Sequence, residues 1–303
     1  MQVRTALQNG ITQLRRANVS SHALAAELLL LHAVAKERAW LYSHPDETLS
    51  AEQQHNFQEM LARRAAGEPV QYLTGRQEFW GLDFEVNSDV LIPRPETEHV
   101  IEVALDRLAL REVRAGRPQA GDGAGMFIAD VGTGSGCIAI ALAKELPKAE
   151  FFASDTSPAA LNVARRNAKR HGVSDRIQFA NSNLLDGLNV VGSQPRRLDL
   201  IASNPPYIGR REAASLEREV REHEPDVALY GGEDGYELYG ALIAQSAEHL
   251  NPRGSVALEL GYNSLAAVQP LLDKPDWSHC SITNDLAGIP RVITAQRNRR
   301  DAD

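Results

Sequence analysis

The sequence predicts an α/β protein: a doubly wound parallel sheet preceded by a small all-helical domain. Three observations predict it. Up to about residue 66 the apolar residues recur at three- and four-residue intervals; beyond residue 126 short β-favouring runs alternate mostly with helix-patterned stretches; and the first of those runs ends in a glycine-rich turn that opens an apolar helix. With 303 residues, 43% hydrophobic and 24% charged, the chain exceeds one typical domain and can bury an ordinary core.

In the first region the helical spacing is carried by Leu7, Ile11 and Leu14, then by Leu24, Leu28 and Leu31, then by Phe57, Met60 and Leu61. Ser20 or Ser21 is placed to cap the second helix, and Ser50, followed by Glu52, the last, which ends near Gly67 and Pro69. No titratable cluster occurs here, so docking or scaffolding fits this region better than chemistry. Residues 71–92 change character: Tyr72, Phe79, Trp80, Phe84 and Val86 are interspersed with Gly75, Gly81 and Asn87, the composition of a β-hairpin linker. Trp80 and Phe84 read as hairpin core rather than substrate contacts. Pro93 and Pro95 stiffen the following segment, and Pro95 suits the first turn of a helix whose dipole favours Glu96 and Glu98. A helix is expected over 97–110, then a mobile surface loop over 113–125, rich in Gly, Ala, Arg and Pro.

Strands are expected at 126–131, 150–154, 177–180, 198–203 and 255–260, with two more around 281–284 and 291–296. The two cysteines, Cys137 and Cys280, have no partner at metal-ligand spacing, and a reducing cytoplasm fits them. Apolar stretches such as 23–35 are interrupted by Glu27 and His32 and fall short of the roughly 20 residues of a membrane span. The first 14 residues lack the pattern of a signal peptide and read as mature structure. A formal net charge of -8 argues mildly against a nucleic-acid backbone as the main partner.

The turn Asp130-Val131-Gly132-Thr133-Gly134-Ser135-Gly136 lets backbone press against a ligand at a helix N-terminus. A dinucleotide fingerprint would need a glycine where Cys137 stands, and no Gly-Lys-Ser/Thr follows, so pyrophosphate and P-loop readings are disfavoured. Asp155 ends the next strand about 20 residues on, where a carboxylate can accept both hydroxyls of a ribose, and Ser157-Pro158 opens the next helix. Loop and acid together indicate a nucleoside without phosphates. S-adenosyl-L-methionine is such a ligand, and its ammonium could meet Asp130 or a nearby carbonyl.

The buried-strand pattern at 198–203 runs into Asn204-Pro205-Pro206-Tyr207, at the carboxyl edge where open α/β sheets bind ligands. Asn204 offers an acceptor and a donor, the prolines stiffen the backbone and leave carbonyls free, and Tyr207 offers a flat face. This set suits a planar NH₂ group: the Asn204 oxygen and the Pro205 carbonyl can bind its two hydrogens while Tyr207 packs on its plane. An amide nitrogen is a poor nucleophile, so positioning and desolvation carry the acceleration, and no strong base is needed before the methyl transfers.

These residues resemble the bacterial release factor glutamine methyltransferases, the PrmC or HemK family. The resemblance extends to Phe79-Trp80-Gly81-Leu82, the run 90–98, Glu222-His223-Glu224-Pro225, Gly231-Gly232-Glu233-Asp234-Gly235 and the run 285–292. It implies a helical substrate-docking domain over 1–70, a hairpin linker over 71–95, and a Rossmann-like, seven-stranded class I methyltransferase domain over 96–303. It further implies methylation at N5 of the glutamine in the Gly-Gly-Gln loop of class 1 peptide chain release factors, by a cytoplasmic monomer that binds neither membrane nor nucleic acid directly. By position, Gly132, Thr133, Gly134, Ser135, Gly136 and Asp155 bind the cofactor, Asn183 and Leu184 line the adenine, Asn204 contacts cofactor and substrate, and Asn204, Pro205, Pro206 and Tyr207 are catalytic. Asn183 stands where the family usually has an acid, so an adenine-amine contact there must be neutral. A ribosomal-protein glutamine methyltransferase is the nearest rival, disfavoured by Pro95-Glu96-Thr97-Glu98. A DNA amino-methyltransferase shares the Asn-Pro-Pro-aromatic loop but would need a basic recognition segment. A module that only binds the cofactor would be expected to lack the Asn204 loop.

Overall fold

The computed structural model describes residues 1–114, 121–188 and 196–298. They form two compact units, one of Met1–Arg76 with Leu216–Glu224, the other of Gln77–Ser215 and the chain from Pro225 on.

The first unit contains α1 (Val3–Arg16), α2 (His22–Val34), α3 (Arg38–Ser43), α4 (Ala51–Ala65), α5 (Val70–Thr74) and α9 (Arg218–His223). Its core joins Val3, Ala6 and Leu14 to Ala26, Leu29, Leu30, Phe57 and Leu61. Gly10 lets α1 close on α4: a Cβ there would stand 2.9 Å from the Phe57 ring. Ser50 starts α4 with a capping box, its Oγ accepting the Gln53 N–H at 3.1 Å while Gln53 Oε1 accepts the Ser50 N–H at 2.9 Å.

Three expectations are corrected here. Ser21 precedes α2 in the left-handed region, φ 50°, and makes no side-chain cap. The Leu24 and Leu28 stripe is 49% and 41% exposed, while Ala25, Ala26, Leu29, Leu30 and Val34 are buried; α2 is apolar on nearly every side, so periodicity could not choose its face. Residues 70–74, expected to lead into the hairpin, form a short helix whose Leu73 joins the helical core.

In the second unit, β1 (Arg76–Phe79) and β2 (Leu82–Glu85) are joined by Trp80 and Gly81 at φ 55° and 69°. Positive φ at both central residues is the type I′ geometry whose twist matches the strands. The Glu98 carboxylate accepts the Trp80 N–H at 2.8 Å. Phe79 and Phe84 are buried against Val100, Ile101 and Ala104 of α6 (Glu98–Arg114), and Trp80 packs at their edge. A 3₁₀ turn, Pro95–Thr97, leads into α6 with proline at its first position. The helix runs beyond the expected end at 110. Of the loop expected over 113–125, residues 115–120 lie outside the described residues.

The seven-stranded, doubly wound sheet expected from the sequence is present, with the order β10-β11-β9-β6-β3-β4-β5. The strands are β3 (Phe127–Val131), β4 (Glu150–Asp155), β5 (Ile177–Asn181), β6 (Leu198–Ser203), β9 (Leu250–Glu259), β10 (Trp277–Asn284) and β11 (Pro290–Arg297). Pairing is parallel from β5 through β9, and β11 runs antiparallel to both its neighbours. Every residue of β3 and β6 is buried, as a strand covered on both faces requires. On one face Ile128 and Phe151 pack with α6 and with α7 (Cys137–Glu145). On the other Phe127, Phe152 and Ile201 pack with α11 (Glu237–His249) and α12 (Leu265–Leu272). From β3 the chain moves outward to β4 and β5, then returns to place β6 on β3's other side. The ends of β3 and β6 therefore flank the switch point where such sheets bind ligands. A short parallel pair not read in the sequence, β7 (Ile208–Gly209) with β8 (Tyr230–Gly232), lies outside this sheet. The short helix α10 (Asp226–Leu229) precedes β8. Among the described residues no helix is long and apolar enough to cross a membrane.

Asn167, fully buried on α8 (Pro158–Arg170), ties three elements together. Its Oδ1 accepts the Glu85 N–H at 2.8 Å, and its Nδ2 donates to the carbonyls of Glu85 at 3.0 Å and Ser135 at 2.9 Å. An Asn167→Leu substitution leaves these backbone groups buried and unpaired. It is expected to lower unfolding free energy by about 2–4 kcal/mol in denaturant titration, with a larger fall than Asn162→Ala on the same helix, where Asn162 is exposed.

Candidate active site

Three strand ends assemble the site. At the end of β3 the chain turns through Gly132, Gly134 and Gly136, at φ 73°, 54° and 85°. A Cβ on Gly134 would meet nothing within 4 Å, so its backbone conformation alone calls for glycine; a Cβ on Gly136 would also lie 2.9 Å from Ile140 Cδ1, between α7 and α8. The N–H groups of Gly132 and Thr133 both donate to the Ser154 carbonyl at 2.9 Å, fastening the turn to β4. Beneath it, the Asp130 Oδ2 accepts the Thr133 hydroxyl at 2.6 Å and the Ala139 N–H at 3.0 Å. Burial pushes the Asp130 carboxyl up to about 6, against the pull of those two donors. Asp130, offered above as a contact for an ammonium group, is wholly buried under the turn and faces its own helix.

Asp155 ends β4 half-buried at the rim. Its Oδ2 accepts the Gly134 N–H and its Oδ1 the Ser157 N–H, each at 2.9 Å, so each oxygen keeps lone-pair capacity for a further donor. Burial raises its pKa, opposed by those N–H groups. Ser157 caps α8 by accepting the Ala160 N–H, with Pro158 at the first helical position. After β5, Leu184 occupies the left-handed region at φ 50°, and the Gln245 side chain accepts the next N–H, that of Leu185, at 2.9 Å.

β6 delivers Asn204. Its Nδ2 donates to the Thr97 hydroxyl at 3.0 Å, which leaves Oδ1 as the end available to a ligand. Tyr207 donates its hydroxyl to Glu259 Oε1 at 3.2 Å. Glycines back this loop because its own backbone fills the space: a Cβ on Gly231 would lie 2.2 Å from the Pro206 carbonyl oxygen, and one on Gly235 2.4 Å from that of Tyr207. The Glu237 carboxylate accepts the Asp234 N–H at 2.9 Å and holds the glycine segment in place.

These elements surround a cavity of about 490 Å³. Of the residues singled out in the sequence, Gly132, Gly134, Asp155, Asn183, Leu184, Asn204, Pro205 and Pro206 line it, whereas Thr133, Ser135, Gly136 and Tyr207 do not. Thr133 and Ser135 are buried inside the turn, and Tyr207 is turned toward Glu259. The walls also include Val90 and Leu91 from the hairpin linker, Arg210, and Val227 and Tyr230 around β8. The sequence reading assigned these no role: Val90 and Leu91 stood in a recognised motif, Arg210, Val227 and Tyr230 in none, and only the tertiary path brings them to the rim. Asp89, Asp155 and Asp226 face one arginine, Arg210, among the charged lining residues. That balance disfavours a polyphosphate and favours a cationic nucleoside, as a sulfonium and an ammonium group would make S-adenosylmethionine. Asp155 fits the ribose and the apolar walls fit the base.

The PrmC N-terminal domain family matches residues 5–75, and the methyltransferase small domain family matches residues 121–222. The release factor glutamine methyltransferase of Koribacter versatilis is 42% identical, covering 98% of this chain and 99% of its own. That of Nitratidesulfovibrio vulgaris is 40% identical, covering 96% and 94%. In fold, the chain resembles a methyltransferase from Pyrococcus furiosus with a TM-score of 0.50 at 20% identity, covering 80% of this chain and 99% of that one.

Glu259, 1% exposed on β9, gives the site a pH signature. Burial pushes its carboxyl up to about 7 with Glu96 adding to the rise, against the pull of Thr97, Tyr207 and Arg291. Between the ordinary value of 4.5 and about 7 the folded chain keeps a proton that the unfolded chain releases, so this group's contribution to stability falls as pH rises through that window. Comparing urea unfolding of the unsubstituted protein and Glu259→Gln at pH 5 and pH 8 is expected to show a flatter pH dependence in the variant, by roughly 2–3 kcal/mol. Equal slopes would mean the carboxyl does not titrate there.

Proposed function

The chain belongs to the release factor glutamine methyltransferase family, S-adenosylmethionine-dependent methyltransferases, and we propose that its substrate is the glutamine of the Gly-Gly-Gln loop of class 1 peptide chain release factors, methylated at N5. The observation that carries this reading is the anchoring of Asn204 by its nitrogen, with its oxygen left for the cavity, on a loop that follows β6 directly. An NH₂ group needs acceptors, and this loop offers the Asn204 oxygen and the carbonyls of a diproline.

When bound, S-adenosylmethionine supplies an electrophilic methyl on a sulfonium. Gly132 and Gly134, on the turn that Thr133, Ser135 and Gly136 shape from within, would hold its nucleoside together with Asp155, and Asn183 with Leu184 would border the adenine through neutral contacts. Asn204 Oδ1 and the Pro205 carbonyl hold the two hydrogens of the glutamine amide, drawing its nitrogen toward tetrahedral geometry and aiming its lone pair at the cofactor side of the cavity. Pro206 keeps that backbone stiff, and Tyr207 borders the glutamine from its place beside Glu259. The apolar walls exclude water, which would otherwise solvate the amide and compete for the same acceptors. The nitrogen becomes strongly acidic once alkylated, and its proton passes to solvent without a dedicated base.

We assign recognition of the body of the release factor to the helical domain over 1–70, with the linker over 71–95 and the catalytic domain over 96–303. The exposed Leu24 and Leu28 of α2 support a docking role. The protein acts in the cytoplasm as a monomer and does not bind nucleic acid directly.

Incubation with methyl-labelled S-adenosylmethionine, a class 1 release factor, its Gly-Gly-Glu version and duplex DNA is expected to place label in the glutamine form alone; label in DNA, or in neither protein, would overturn the assignment. Asn204→Ala is expected to lose on the order of 100-fold in kcat/KM with cofactor affinity kept within a few fold. Asp155→Ala is expected to weaken cofactor binding about tenfold or more in calorimetric titration. Normal turnover by Asn204→Ala would sink the mechanism.

A further inference from the structure

Behind Asn204 lies a chain of buried polar groups that the roles above leave unused. Thr97 is 2% exposed, and its hydroxyl accepts from Asn204 Nδ2 at 3.0 Å. The same hydroxyl faces the Glu259 carboxyl and holds its pKa down. Tyr207 donates to Glu259 Oε1 at 3.2 Å, and Glu259 Oε2 is buried with no hydrogen-bond partner of its own. Tyr239 fixes the strand at that point by donating to the Glu259 carbonyl at 2.6 Å.

The direction of these bonds follows from their chemistry. Above about pH 7, where Glu259 is ionised, its carboxylate only accepts. A threonine hydroxyl has one proton, and once it accepts from Asn204 that proton must point elsewhere; the unfilled carboxylate oxygen is the acceptor on that side. The polarity then runs from Asn204 N–H to Thr97, with the Thr97 proton left to turn toward the unfilled Glu259 oxygen, and the Asn204 oxygen is the end left for the cavity. A donor at position 259 reverses it: the Thr97 proton turns toward Asn204, the amide rotates, and its NH₂ faces the substrate NH₂.

We propose that Glu259 is a positioning residue for methyl transfer, setting through Thr97 which end of the Asn204 amide meets the substrate and holding Tyr207 in place by the same carboxylate. This rests on the reading of Asn204 as the acceptor for the glutamine amide.

The test measures transfer to a class 1 release factor by Glu259→Gln, Thr97→Val, Thr97→Ser and the Glu259→Gln/Thr97→Val double variant, alongside the unsubstituted protein and Asn204→Ala. Expected for Glu259→Gln and for Thr97→Val is a fall in kcat of about tenfold or more, with KM for the release factor and affinity for S-adenosylhomocysteine changed by less than about twofold. Thr97→Ser, which keeps the hydroxyl, restores most of kcat, and the double variant is no slower than the slower single variant, because both break one chain. A folded Glu259→Gln with unchanged kcat, losses that multiply in the double variant, or a fall in cofactor affinity matching the fall in kcat would each overturn the proposal. If Glu259→Gln does not fold, the Thr97 pair decides, and equal kcat in Thr97→Val and Thr97→Ser overturns it. Failure of the unsubstituted protein to methylate the release factor, or full activity of Asn204→Ala, sinks the functional reading itself and this inference with it; failure of the Glu259 and Thr97 pattern alone sinks only this inference.

Discussion

An asparagine amide can present either a donor or an acceptor, and a site for an NH₂ group works with only one of them. On the role proposed for Asn204, the choice in this chain rests on the bond from its Nδ2 to Thr97 Oγ1. Everything around the loop can be understood as keeping that bond in register with a cofactor cavity. β6 brings Asn204 to the switch point, the 3₁₀ turn Pro95–Thr97 brings the threonine to it from a distant part of the sequence, and the glycines Gly231 and Gly235 admit the loop's backbone at distances no side chain would allow.

That arrangement depends on buried polar groups that are unfavourable taken alone. Asp130 and Glu259 are both buried carboxyls with raised pKa values, and each has one oxygen without a partner. An apolar residue at either position would relieve desolvation. Asp130 instead fastens the glycine turn to the first turn of α7 through Thr133 and Ala139, and Asn167 fastens the same turn to the hairpin from behind. The cofactor side is thus organised by hydrogen bonds beneath the turn, while the surface facing the ligand is left to backbone, to Asp155 and to apolar walls. Stability is lost locally so that the geometry of the turn and of the Asn204 loop is fixed before a ligand arrives, as preorganised catalysis requires.

Much of this was legible in the sequence because local pattern and tertiary role coincide. The runs at 126–131 and 198–203 are apolar throughout because their strands are covered on both faces, and the glycine turn is recognisable because three positions need positive φ. Legibility failed where the deciding contact is distant. The face of α2 was misread because leucine and alanine cover it on all sides, and only packing against α1 and α4 selects Ala26, Leu29 and Leu30. The partner of the Tyr207 hydroxyl could not be read either, because it is a carboxyl from β9, 52 residues later. Thr97 sat inside a motif that resembled a simple helix start, and nothing in its spacing pointed to Asn204, 107 residues away. The short pair β7 with β8 went unread because two- and three-residue strands carry no periodicity.

The most direct test of this account is a high-resolution crystal structure of the protein with S-adenosylhomocysteine and a Gly-Gly-Gln peptide. It is predicted to place the glutamine amide nitrogen about 3 Å from Asn204 Oδ1, with the Asn204 nitrogen still on Thr97 and the ribose hydroxyls on Asp155. A glutamine bound away from Asn204, or an Asn204 amide turned so that its oxygen meets Thr97, would contradict it.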